Sequence, residues 1–186
     1  MAFRTENQIY SDLVEVINGF LSANGYADWQ VCRSYQPSMQ GIRDKVIQLT
    51  KVYSVRYGWQ GNDDIPSDVQ NKLIHIESQI MNESWQIDCI KMRNVNDTAE
   101  TISGADMMVQ LGMFFAGDAG RLALRNKGYS LGQRLTSVRN PYEMSDSKKY
   151  MFNPGFDIHF MYWQTIQSDI ETMNILDGLP LGIYEV

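Results

Sequence analysis

Two histidines, two cysteines and a scatter of acidic residues are the groups in this chain able to bind a metal, attack a carbonyl or move a proton. His75 and His159 lie far apart, and neither sits in a Cys-x-x-Cys or His-x-x-x-His pattern that would turn two ligands onto one zinc. They read as sheet histidines facing solvent or a neighbouring subunit. Asp157-Ile158-His159 places a carboxylate and an imidazole on one strand face, a fragment of the relay that activates a serine or cysteine. No Gly-x-Ser-x-Gly elbow accompanies it. Glu77, Asp88 and Lys91 approach the acid-x-Lys pattern of metal-dependent nucleases, but two residues separate Asp88 from Lys91, so on a strand they face opposite sides. Gly104, Gly112, Gly117 and Gly120 form no Gly-rich turn with a following Gly-Lys-Ser/Thr, so no phosphate cradle is expected. These spacings predict no catalytic, cofactor-binding or metal-ligating residue.

The elements that would carry these groups belong to an ordinary globular chain. Its 186 residues suit one domain, expected over 1–186 with an irregular tail from about residue 176. Hydrophobic residues make up 44% and charged residues 20%, enough apolar side chains for a core without disulfide or metal staples. The formal net charge is -6, and Lys148-Lys149 is the longest basic run. Tight nucleic-acid binding needs clustered cations to displace counterions, so that class is not expected. Cys32 and Cys89 read as two small buried strand residues, and a count of two leaves a disulfide between them possible but not shown. Met1-Ala2-Phe3-Arg4 leads directly into Thr5-Glu6-Asn7-Gln8, and no apolar run reaches membrane-spanning length. Folding in a reducing cytoplasm, with no membrane partner, is the expectation.

Thr5 with Gln8 forms a capping box before a helix with Ile9, Leu13, Val14, Val16, Ile17, Phe20 and Leu21 at helical spacing, ended by Asn24-Gly25. Strands are expected over Trp29–Tyr35, with Pro37 ending the first, and over Val46–Tyr57, where Ile47, Leu49, Tyr53, Val55 and Tyr57 share a parity. Gly58–Asn71, with two glycines, Asn62-Asp63-Asp64 and Pro66, reads as a long exposed hairpin loop. Leu73–Met92 is a strand whose apolar parity changes between Ile80 and Trp85, which predicts a bulge near Asn82-Glu83. A second helix is expected to start at Asp97, with Glu100 in the capping position, and to run to Phe115. Its Met107, Met108 and Met113 read as core filling. A short third helix, Ala119–Lys127, is capped by Asp118, and strands follow over Tyr129–Arg139 and Gly155–Gln167. The order of elements predicts an α+β fold: a mostly antiparallel sheet with two main helices and one short helix packed on one face. The expected core contains Leu13, Ile17, Phe20, Ile47, Leu49, Val55, Ile87, Met108, Leu111, Phe156, Ile158 and Phe160.

Three stretches resemble the neck or tail terminator proteins of long-tailed bacteriophages. They are Gln36-Pro37-Ser38-Met39-Gln40-Gly41; Arg56-Tyr57-Gly58-Trp59-Gln60 with Trp85-Gln86-Ile87-Asp88; and Arg139-Asn140-Pro141-Tyr142 continuing to Pro154-Gly155-Phe156-Asp157-Ile158. The helix around Asp118–Arg125 fits between them, and the resemblance covers roughly residues 29–165. It implies a structural virion protein that is not an enzyme and carries no cofactor. Such a subunit forms a ring, typically a hexamer, that caps the tail tube, ends its growth and joins the tail to the head connector. The implied partners are further copies of the chain, the tail tube protein, the sheath protein where a tail has one, and the head-tail connector. DNA would pass through without specific binding, and the mature location would be the tail or neck of the virion.

The segment Arg139–Gly155 joins two expected strands with too many apolar groups for a solvated loop, and it carries charges that can set register across an interface. The candidate subunit-interface residues are Arg56 and Trp59 of the second resembling stretch and Arg139, Tyr142, Lys148, Lys149, Tyr150 and Phe152 of this segment, the alternative being a segment that folds back on its own sheet. Two other readings fit the same residues: another virion adaptor, such as a head-tail connector or tube-like subunit, and a ligand-binding domain or enzyme.

Overall fold

The Thr5 hydroxyl accepts from the Gln8 backbone N–H at 3.2 Å, while the Gln8 side chain accepts from the Thr5 N–H at 2.8 Å. Two otherwise orphaned donors are satisfied, and α1 begins there, spanning Glu6–Ala23. Its buried face is Ile9, Leu13, Val16, Ile17, Phe20 and Leu21. The computed structural model describes residues 3–34, 44–68, 72–91, 97–99, 101–131, 135–139, 142–144 and 150–171, with backbone alone for 142–144, 150–152 and 171.

The strands are β1, Gln30–Arg33; β2, Val46–Pro66; β3, Lys72–Ile90; β4, Ser130–Leu131; β5, Tyr142–Met144; β6, Tyr150–Phe152; and β7, Gly155–Glu171. Five form a sheet in the order β1-β2-β3-β7-β4. β1 runs parallel to the start of β2, with Val31 opposite Ile47. β3 turns back on β2, the Ser67 N–H reaching the Lys72 carbonyl at 3.3 Å. The end of β3 meets the start of β7 through the Cys89 N–H and the Pro154 carbonyl at 2.8 Å, so these strands are antiparallel too. β4 pairs antiparallel with β7.

Two further helices complete the layer, α2 at Gly104–Ala116 and α3 at Asp118–Asn126. One hydrophobic cluster joins the buried faces of α1, α2 and α3 to Ile47, Leu49, Trp85, Ile87, Cys89, Phe156, Ile158, Phe160 and Tyr162 of the sheet. The α+β fold with helices on one sheet face is what the order of elements predicted. Every expected core residue is buried except Val55, which is 47% exposed.

Several boundaries differ from the sequence reading. α2 starts seven residues after Asp97: Ser103 is its cap, and Asp106 returns the bond to the Ser103 N–H at 3.0 Å. Two capping boxes compete in this stretch, and the apolar face of Met107, Met108 and Leu111 continues the second. Gly117, not Asp118, is the N-cap of α3. The strand expected over Tyr129–Arg139 is two residues long, with an isolated bridge at Arg139–Gly155. Residues 58–66 continue β2 rather than forming a loop, because Gly and Asn tolerate a paired backbone even though they do not favour it. β7 likewise continues past Gln167. Met113 is 70% exposed, unlike its neighbours Met107 and Met108. Cys89 is buried and Cys32 half-buried, and no disulfide joins them, since β2 lies between their strands.

Val55 leaves the core because β2 reverses its facing. Ile47 and Leu49 point to the helices, and Lys51 follows them, bonding Glu83 at 3.1 Å and Glu6 of α1 at 3.6 Å. Tyr53 does not follow: its hydroxyl lies 3.1 Å from Nδ1 of His159, which alternates with the helix-facing Ile158 and Phe160 on β7. Same-parity residues on opposite faces require an extra residue between them, a bulge around Val52. The expected reversal near Asn82-Glu83 thus has a counterpart on the neighbouring strand. On β3 itself, Glu83, Ser84 and Trp85 are buried in succession.

The chain divides into two compact units. One contains Arg4–Tyr57 and Met81–Tyr162, which include the helices and the core. Among the described residues, the other contains Phe3, Gly58–Ile80 and β7 from Trp163 to Glu171.

Candidate interaction surface

The groups with chemical potential are each occupied structurally. Asp157 accepts from Arg139 Nη2 at 2.6 Å, and its backbone N–H donates to Thr136 Oγ1 at 2.7 Å. His159 bonds Tyr53 instead of completing a relay with Asp157. Lys91 bonds the Ile102 carbonyl and lies 3.9 Å from Asp97, tying down the segment before α2. Burial pushes the Cys89 thiol up to about 12, so it is not a nucleophile. Among the described residues no three His, Cys, Asp or Glu side chains are grouped to hold a metal ion. His75 lies between two carboxylates, with Nδ1 at 2.6 Å from Asp64 and Nε2 at 3.6 Å from Glu77. The Asp64 hydrogen bond holds its pKa above the ordinary value.

The residues nominated for subunit contacts fall in three places. Arg56 and Trp59 are exposed on β2, Trp59 at 96%. Arg139 is bound to Asp157 and bridged to Gly155, at the start of β7. Tyr142 opens β5, and Tyr150 and Phe152 bound β6; these strands pair antiparallel, Tyr142 opposite Phe152. The segment expected to serve as an interface loop therefore contains a small two-stranded sheet, separate from the main one. Lys148 and Lys149 lie outside the described residues, as does the expected C-terminal tail.

The unit made of residues 58–80 and 163–171 is a three-stranded sheet with β3 in the middle. No described residue from 58 to 80 is buried. Trp59, Ile65, Trp163, Ile166 and Ile170 are exposed large apolar side chains within it. Among the described residues of this unit such apolar exposure marks a surface made for contact.

The sequence model of the family described as E217 gateway protein gp29 matches residues 8–172. The chain belongs to the E217 gateway protein gp29 family. Membership makes this gateway-family protein a bacteriophage structural protein of the head–tail gateway type, a virion component by family. A search of curated protein sequences returned no match. Of the exposed groups on these strands in the gateway-family chain, the sequence reading nominated Arg56 and Trp59 for contacts and did not nominate Ile65, Trp163, Ile166 or Ile170. Trp163 and Ile166 lie within the strand expected over Gly155–Gln167, Ile170 lies just past its end, and the turn-forming residues around Ile65 gave that position no strand signal.

Proposed function

We propose that this chain is a neck or tail terminator subunit. Copies of it form a ring, a hexamer, that caps the tail tube, ends its polymerisation and joins it to the head-tail connector. The observation that carries the reading, beside family membership, is the three-stranded unit with its exposed Trp59, Trp163, Ile166 and Ile170, which needs a partner to cover it. The hairpin β5–β6 with Arg139 supplies a second contact between subunits. The tube protein, the connector and, in a contractile tail, the sheath protein are the remaining partners. A net charge of -6 suits a passage that DNA traverses without sticking.

Light scattering on the purified chain, alone and with tail tubes, tests this. A particle several-fold heavier than the 21.4 kDa chain, or tubes that stop growing on its addition, supports the ring. A chain that stays monomeric and leaves tube growth unchanged overturns it. Duplex DNA mobility should be unaffected by micromolar protein at low salt, where ionic binding is strongest.

A further inference from the structure

Where β2 and β3 pair between residues 58 and 80, they present two unlike faces. A Cβ at Gly61 would lie 2.7 Å from Ser78 Oγ, so residues 61 and 78 share a face. Asp64 is bonded to His75, so residues 64 and 75 share the other. The Ser67 N–H on the Lys72 carbonyl fits the same register. Alternation then puts Trp59, Asp63 and Ile65 on the first face with Ile74 and Ile76, and Asp64, His75 and Glu77 on the second. On the first face Trp59 is 96% and Ile65 38% exposed. The helices, in the other unit, also expose large apolar groups: Val109 and Met113 one turn apart on α2, and Leu122 on α3. Arg121 and Arg125 lie one turn apart beside Leu122, both exposed. Among the described residues neither has a hydrogen-bond or ion-pair partner, whereas Arg33, Lys51, Lys127 and Arg139 each hold a carboxylate. Charge divides in the same way. Residues 1–3, 58–80 and 163–186 hold eight acidic side chains and one basic, a net -7. Residues 4–57 and 81–162 hold fourteen acidic and fifteen basic, a net +1 that completes the chain's -6.

We infer that the apolar and acidic sheet face of one copy, around Trp59, Asp63 and Ile65, docks on the apolar and basic helix face of the next copy, around Met113, Arg121, Leu122 and Arg125. This rests on the ring reading above and names the joint that closes it. Opposite charge selects the occupant. Two sheet units set face to face would oppose -7 with -7, and two helix faces would oppose their arginine pairs, so like charge works against either two-fold joint. A joint between two unlike surfaces is head-to-tail, and rotation repeats it until the last copy meets the first. Burial of the exposed apolar groups supplies the attraction, and the charges set partner and register. Salt screens opposite charges, so assembly is weaker at high than at low ionic strength.

The test sizes four full-length forms by light scattering over a range of concentration and salt. They are wild type, Trp59→Ala, the double variant Arg121→Glu/Arg125→Glu, and that double variant with Asp63→Lys and Asp68→Lys added. All five side chains are exposed, so the monomers should melt as wild type does. Arg121→Gln/Arg125→Gln stands in for the reversed pair if that one melts early. Wild type should give ring-sized particles that dissociate as salt rises. Trp59→Ala and the arginine variant should each need about tenfold more protein or greater to assemble. The fourth form, with both charges reversed, should regain assembly. If Trp59→Ala or the arginine variant assembles as wild type does, the inference is overturned and the ring reading stands. The same holds if the fourth form is no stronger than the third. Rings that form normally in these variants but no longer dock on tubes would assign the surfaces to the tube protein and overturn the inference as well. Wild-type particles that never exceed the monomer, with or without tubes, overturn both.

Discussion

The Tyr162 hydroxyl donates to Oε1 of Glu83 at 3.0 Å, and that carboxylate is almost fully buried. The other oxygen accepts from Trp85 Nε1 at 2.9 Å, and Lys51 Nζ lies 3.1 Å from Oε1. A buried carboxylate is tolerated only with such partners. Lys51 is the cation among them, so Lys51→Met should cost about 3 kcal/mol by leaving the charge uncompensated. For a chain of this length that is a fall in Tm of about 6 to 12 °C. The double variant Lys51→Met/Glu83→Leu should recover part of the loss; equal melting of the single variant and wild type would show that the ion pair contributes nothing.

Leu111 is fully buried and Val55 is not. Leu111→Ala should cost about 2 to 5 kcal/mol in denaturant unfolding. Val55→Ala should stay within about half a kcal/mol, as surface changes do. A single cooperative transition is expected for the whole chain, and reversed magnitudes would mean that β2 keeps its facing through Val52.

Gly120 lets α3 pack against the end of α2. A Cβ there would lie 2.7 Å from Phe115 Cα and 2.8 Å from the Phe114 carbonyl carbon, both backbone atoms that cannot rotate away. Gly120→Ala should therefore destabilise by about 1 to 3 kcal/mol, against the helix propensity that favours alanine. Stabilisation in a thermal melt would show that the helices separate easily.

His75 should titrate above its ordinary value of 6.5, because the charged ring is bonded to Asp64. A raised folded-state pKa gives stability that is fully present below 6.5 and is lost as pH rises through the folded value. NMR titration of the ring checks this, and Asp64→Asn should bring the midpoint down. An unchanged midpoint would rule out the pair as the cause.

The Arg139–Gly155 segment is expected to serve assembly. Replacing Tyr142 to Phe152 with a short Gly-Ser linker should abolish the ring, or docking on tubes, while the monomer still melts cooperatively. Loss of cooperative melting would assign the segment to the core, and surviving assembly would place the contact elsewhere.

Local signals settled much of this protein before any tertiary contact was considered. The Thr5–Gln8 cap, the α1 stripe from Ile9 to Leu21 and the alternation Phe156-Ile158-Phe160-Tyr162 each follow from one period and one polar partner, and all three appear as expected. Tertiary structure decided what depends on competition between distant segments. Of two possible caps before α2, Ser103 won because it starts the helix where its apolar face meets the sheet. Turn-rich residues 58–66 became strand because β3 offers them a ladder that propensity does not register. One extra residue near Val52 turned Tyr53 toward His159 and put Val55 outside, and parity counted along a single strand cannot detect such an insertion. Among the described residues β1 pairs with β2 over Val46–Leu49 and β4 with β7 over Phe160 and Met161, a relation between strands that no local pattern encodes.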